Sequence, residues 1–288
     1  MDFNLEVKRR RSIMTESYYT PAEIRAIQAF QLEVREWLDA NIPKDLPRVR
    51  RGDPVPPEVE KWAVEFRKKL GRKGWLGATW PREYGGGGLT STHGAIIQEE
   101  LNSRSLPPIH GTLQGVIAIR AWGTEEQKEE LLTPILQGDW TVAHMFTEAA
   151  AAGTDLQGTK TKAVRDGDFY VVNGAKDFVT SKLTPDLLLT LVDTNQEERP
   201  HRRFSILAID AHSPGVLIKK QSLLVAGAEQ SIFLTDVRVP LSRRIGEEGQ
   251  GMEIARAVID MERGMGLSIE KQREVEWREK EYWERKRN

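Results

Sequence analysis

Cysteine is missing altogether, which excludes disulfide staples, thiolate nucleophiles and Cys-ligated metals. Histidine is scarce. Its five residues are scattered, without H-x-x-x-H or H-x-x-E-H spacing, and give a metal site no footing. Charge of one sign is also lacking: a net charge of −1 draws the chain as a whole toward neither nucleic acid nor anionic lipid. No apolar run approaches the ~18 residues of a membrane span. The opening MDFNLEVKRRRSIM has no apolar core of a secretory signal. Lys8 to Arg11 are basic, but Asp2, Glu6 and Glu16 argue against a mitochondrial presequence. Residues 1–19 therefore read as a solvated, disordered tail, and the chain as cytoplasmic. The four glycines at 85–88 do not make G-x-G-x-x-G, and no strand–turn–helix surrounds them, so a Rossmann site is rejected.

What is present is enough apolar material for a sizeable core, 39%, inside a soluble surface with 30% charged residues. A prior of about 100–200 residues per domain suggests two domains. Thr20-Pro21-Ala22-Glu23 is a capping box with Pro at the first helical position, followed by Ile24, Ile27, Val34 and Leu38 at helical spacing up to Pro43. Val59, Trp62, Phe66 and Leu70 give a second helix one apolar face. Residues 75–90 read as irregular, and 92–102 and 113–122 as helices. Thr124-Glu125-Glu126-Gln127 is a second capping box, opening a helix with Leu131, Leu132 and Ile135. Residues 20–140 are thus a helical domain.

From Thr141 the period becomes two. Strands are predicted over 159–165 and 169–173, flanking the hairpin signal Asp166-Gly167, and then over 175–181, 187–193, 204–210, 216–221 and 231–239. Residues 193–203 are a polar exposed loop. Many short strands between turns predict an antiparallel sheet or barrel over 141–248. Helical spacing returns with Ile254, Val258 and Met261, and Met265 lies one turn further. With no later helices to cover it, that stripe predicts an oligomer or a partner-dependent protein. Residues 270–288 are dominated by Glu, Lys and Arg and read as a solvated helix or frayed tail. The fold class is α+β: helices, strands, then a helix.

The stretch from Thr141 to Thr180 carries a sharper signal. A small-residue loop, Ala149–Gly153, brings backbone N–H groups close to any ligand, between the hydroxyls of Thr147, Thr154 and Thr180. Phe146-Thr147-Glu148, Gly153-Thr154-Asp155, Gly167-Asp168-x-Tyr170-x-x-Asn173-Gly174-x-Lys176 and Phe178-Val179-Thr180 follow in order. So do Gly74-Trp75-Leu76, Trp80-Pro81-x-x-Tyr84-Gly85-Gly86, Gly123-Thr124-Glu125-Glu126-Gln127-Lys128, Asp236-Val237-Arg238-Val239-Pro240 and Glu262-Arg263. In these motifs the sequence resembles the acyl-CoA dehydrogenases over roughly residues 20–266.

The resemblance implies flavin-dependent α,β-dehydrogenation of an acyl-CoA thioester, in fatty acid metabolism, with FAD as cofactor. Carried over by motif position, Phe146, Thr147, Val179 and Thr180 line the flavin, Phe178 covers its ring in place of the usual Trp, and Thr154 lies by the CoA arm or the FAD pyrophosphate. Glu262, followed by Arg263, falls where the isovaleryl and long-chain branches keep the catalytic base. Its pKa is expected to rise toward neutrality beside apolar substrate. The sequence departs from the family in having no Pro after Glu148, in Ser181-Lys182-Leu183, and in residues 249–288, which read as the first helix of a truncated C-terminal helical domain. Two outcomes follow from these departures: an enzyme, completed by a partner chain or active alone, or a non-catalytic subunit or remnant that binds FAD poorly.

Overall fold

The computed structural model describes residues 19–49, 55–104, 106–107, 109, 115–149, 155–181, 183–199, 202–221 and 229–287. The tail at 1–18 lies outside them. Helix α1 (Pro21–Asn41) begins with the predicted capping box: the Thr20 hydroxyl accepts from the Glu23 N–H, and the Glu23 carboxylate accepts from the Thr20 N–H. Helices α2 (Pro57–Arg72) and α3 (Ser91–Asn102) pack beside it through Val34, Leu38, Phe66, Leu70 and Ile97. Helix α4 (Val116–Trp122) leads through Gly123 into α5 (Glu125–Leu136), whose Thr124–Gln127 capping box is also formed. Between α2 and α3 the chain is irregular apart from one 3-10 turn, Arg82–Tyr84.

The strands are β1 (Val142–Met145), β2 (Lys162–Asp166), β3 (Phe169–Thr180), β4 (Leu187–Asp193), β5 (Phe204–Asp210), β6 (Val216–Lys220), β7 (Glu229–Pro240) and β8 (Arg244–Ile245). They form one sheet in the order β6-β7-β3-β2-β4-β5-β8, with β1 on β4. Of the predicted sheet or barrel, the open sheet is what forms. Its pairing is antiparallel as expected for five of seven strand pairs, while β1 and β2 run parallel to β4. The two strands predicted at 169–173 and 175–181 are one strand, β3. It stays paired to β7 through irregularities between Val172 and Gly174 and between Lys176 and Val179. Such irregularities bend a strand without ending it.

Strand β4 is buried along its whole length, as a strand covered on both faces must be. Leu187, Leu189 and Leu191 point to the helices, while Leu188 and Val192 point into a second core shared with Tyr170, Val172, Ile232 and Val237 of the curled β3–β7 ribbon. Helix α6 (Gly251–Glu262) closes the helical face. Its Ile254 and Val258 are fully buried against that core. The predicted stripe is therefore covered within the chain. Only Met265, beyond the helix end, stays exposed.

Helix α7 (Ile269–Arg287) gives the largest correction. It is docked rather than solvated. Val275 is buried, and Trp283 meets Tyr84 edge-on at 5.7 Å. Arg120 donates two 3.0 Å hydrogen bonds to the Glu279 carboxylate. The fully buried Lys128 bridges Glu125 at 2.7 Å and Glu279 at 3.5 Å. Arg278 donates to the Gly123 carbonyl, and Tyr282 and Lys286 donate to Glu129. Charge-rich composition hid an interface made of charges. Removing one member of a buried pair leaves the others uncompensated. Glu279→Ala is expected to cost about 3 kcal/mol, read in the urea midpoint. Amide exchange over 269–287 should rise while β4 and β5 stay protected.

Candidate functional site

The site is built where β1 leaves the sheet. Its side chains alternate: Val142 and Phe146 face the helices, while Ala143 and Met145 face the second core. His144 lies on the helical side, its ring 5.2 Å from that of Phe146. Beyond the strand, Phe146, Thr147 and Glu148 are clamped to the middle of β3. The Thr147 carbonyl accepts from the Asp177 N–H at 3.0 Å, and the Phe146 carbonyl accepts from Lys176 Nζ at 3.4 Å. Glu148 Oε1 lies 2.8 Å from Lys176 Nζ.

Both members of this ion pair are buried. Glu148 also accepts from the Lys160 N–H at 2.7 Å, the Thr161 N–H at 3.0 Å and the Thr161 hydroxyl at 2.7 Å. Burial pushes the Glu148 carboxyl up, but Lys176 and Thr161 outweigh it and hold it below its ordinary value. Burial lowers the Lys176 ammonium to about 8 against the pull of Glu148. Gly174, at φ +155°, makes room for the clamp, since a Cβ there would sit 2.6 Å from the Thr161 Cα. Both charged residues stand in the family motifs, yet nothing in their spacing announced that they pair.

The clamp sets the rim. One residue past Asp177, Phe178 adopts φ +56°, a left-handed conformation that costs an aromatic residue energy and needs its surroundings to impose it. The residue is 49% exposed. Asp177 is itself fixed by Ser231, which donates at 2.7 Å. Thr180 is exposed and Thr147 half-buried, so Thr147, Phe178 and Thr180 present side chains outward. Phe146 and Val179 do not: both side chains are buried in core packing. Thr154 lies outside the described residues.

Glu262 ends α6, and its Oε1 is 3.1 Å from His144 Nε2. The expected upward shift is corrected: the His144 hydrogen bond holds the carboxyl below its ordinary value, with burial opposing and Arg263 assisting. Nearby, Leu156 and Gln157 face Met252, Arg256, Ile259 and Arg263 across a cleft of about 230 Å³. A larger cleft of about 560 Å³ separates α6 from α7 above Trp122. Neither is lined by Thr147, Phe178 or Thr180. Among the described residues, no cluster of His, Asp and Glu is suited to hold a metal ion, and no helix is long and apolar enough to cross a membrane.

Lys176→Met, which strands a buried carboxylate, is expected to destabilise the fold by about 3–5 kcal/mol, whereas Glu148→Gln with Lys176→Met removes both charges and should recover much of it. A double-mutant cycle in urea checks this. Glu148's folded pKa lies below its ordinary 4.5, so its share of stability is complete above 4.5 and disappears as pH falls through the folded value. Glu148→Gln should lack that acid limb.

Comparison with known proteins agrees with the motif reading. The acyl-CoA dehydrogenase N-terminal domain matches residues 25–139, and the acyl-CoA dehydrogenase middle domain matches residues 143–237. The acyl-CoA dehydrogenase FadE26 of Mycobacterium tuberculosis is 35% identical over 199 residues, covering 68% of this chain and 50% of the relative. The solved Tcur3481-Tcur3483 steroid ACAD is 32% identical at a TM-score of 0.71, over 85% of this chain and 62% of that one. The ChsE4-ChsE5 complex from Mycobacterium tuberculosis is 29% identical at a TM-score of 0.66, over 84% and 60%. The chain spans about half the length of the curated relatives it matches. Two consecutive domains matched in order, on a fold shared with solved relatives, place it in the acyl-CoA dehydrogenase family.

Proposed function

We propose that the chain contributes to flavin-dependent α,β-dehydrogenation of an acyl-CoA thioester, working together with a further protein chain. The observation that carries this reading is the clamp. It brings Thr147 beside the Asp177–Phe178 step, two stretches that match the flavin motifs, while Glu262 contacts His144 on the strand that leads into Thr147.

The residues present fit a flavin in part. Phe178 offers an exposed ring face held by an imposed backbone conformation, and Thr147 and Thr180 offer hydroxyls beside it. Phe146 and Val179 would contribute backbone groups. When bound, FAD supplies the acceptor for the β-hydrogen as hydride. The protein's part is to orient the thioester, exclude water and remove the α-proton. Glu262 is the candidate base, held ionised by His144 and Arg263. A partner chain is favoured by two neighbours that carry two-component names, one of them a complex.

The purified protein, alone and with its partner, is expected to take up FAD and show flavin absorbance. Anaerobic acyl-CoA should bleach it, and Glu262→Gln should bind without bleaching. Thr180→Val removes one hydrogen bond, worth about 0.5–1.5 kcal/mol, and should weaken FAD binding roughly two- to tenfold without lowering the urea midpoint. Protein that stays colourless with added FAD, with and without its partner, would count decisively against the reading.

A further inference from the structure

Glu262 is poorly placed to be a free carboxylate. It is the last residue of α6, where unpaired carbonyls concentrate negative potential and repel an anion. Its side chain is 40% exposed. A base that must sit at one spot needs something to hold it there, and the helix end alone does not.

His144 provides that hold, and its own ring is fixed on several sides. Phe146 lies 5.2 Å away on one side. Where Gly115 precedes α4, an added Cβ would come within 3.3 Å of the His144 Cβ and Nδ1, so the glycine admits the backbone close against the ring. His144 is also paired across the sheet with the buried Leu189. With its Nδ1 edge against α4, the imidazole turns Nε2 to Glu262 Oε1 at 3.1 Å.

We propose that His144 is the positioning residue of Glu262: it donates from Nε2 to Oε1, fixes the carboxylate plane and leaves Oε2 to take the substrate α-proton. This rests on the reading of Glu262 as the base. The α-C–H bond breaks, the proton goes to Oε2, and the electron pair forms the Cα=Cβ bond as the β-hydrogen leaves with its own pair to the FAD invoked above. The downward shift of the Glu262 carboxyl, led by this hydrogen bond, agrees with the arrangement.

Two measurements decide it. In protein labelled with ¹⁵N-histidine, the His144 signal is assigned by its loss in His144→Gln. Its Nε2 resonance should move on Glu262→Ala, and an unmoved resonance overturns the pairing. In FAD-loaded protein, with its partner, His144→Leu should slow exchange of acyl-CoA α-hydrogens with D₂O about tenfold, as expected for losing a hydrogen bond to a charged group. Acyl-CoA affinity should stay within about twofold, because His144 touches the base and not the ligand. His144→Gln, which keeps an N–H donor, should retain most of the rate. If His144→Leu exchanges like wild type while Glu262→Gln does not, His144 has no such role and the base reading stands. If Glu262→Gln also exchanges at the wild-type rate, the base reading falls and this proposal falls with it.

Discussion

A fully buried ammonium, Lys176, sits against a buried carboxylate, Glu148, and the geometry of the site descends from that pair. Taking two charges out of water costs more than their attraction returns unless the remaining donors and acceptors are also satisfied. Here Thr161 and the Lys160 N–H satisfy the carboxylate, and the Phe146 carbonyl takes a further bond from the ammonium. That Lys176 still titrates at about 8, below its ordinary value, shows that burial outweighs its partner. The pair is therefore a weak source of stability and a strong source of register. It fixes which residue of β3 lies opposite the exit of β1, and a slip of one position would expose both charges to apolar surroundings.

How far the sequence disclosed this depends on the range of the interaction. The capping boxes at Thr20 and Thr124 act within four residues, and both were read correctly from local chemistry. Strands β4 and β5 were read to the residue, because each is a short apolar run bounded by polar turns. Strand β3 was split at Asn173-Gly174, since a glycine in a strand signals a break as readily as a bulge. What carries it through is its pairing to β7, some 60 residues on, braced by reciprocal hydrogen bonds between Asn173 and Asp236. Helix α7 was misread for the same reason. Glu279 looks solvated until Arg120, 159 residues earlier, is brought to it.

The site divides along the same line. Motif order assigned Thr147, Phe178 and Thr180 to the flavin, and in the fold Phe178 and Thr180 are exposed and Thr147 half-buried. It also named Phe146 and Val179, whose side chains are buried, because a motif does not say which face of a strand a residue occupies. The pKa of Glu262 was expected to rise beside apolar substrate. The missing information was His144, 118 positions away in sequence and on another element, which reverses the direction.

Strand β1 is the ruler that relates these parts. It is only four residues long, yet its parallel pairing with β4 holds it from Val142 to Met145. Phe146, just past the strand, keeps its ring 5.2 Å from that of His144. The segment just past the strand is fixed by the Glu148–Lys176 clamp, and His144 within the strand contacts the end of α6. A reaction that removes hydrogens from two adjacent carbons needs its base and its hydride acceptor held at a set separation, because misplacement by about 1 Å can cost on the order of a hundredfold in rate. Under the proposed reaction, the clamp and the His144–Glu262 contact, both anchored on this segment, would supply that separation.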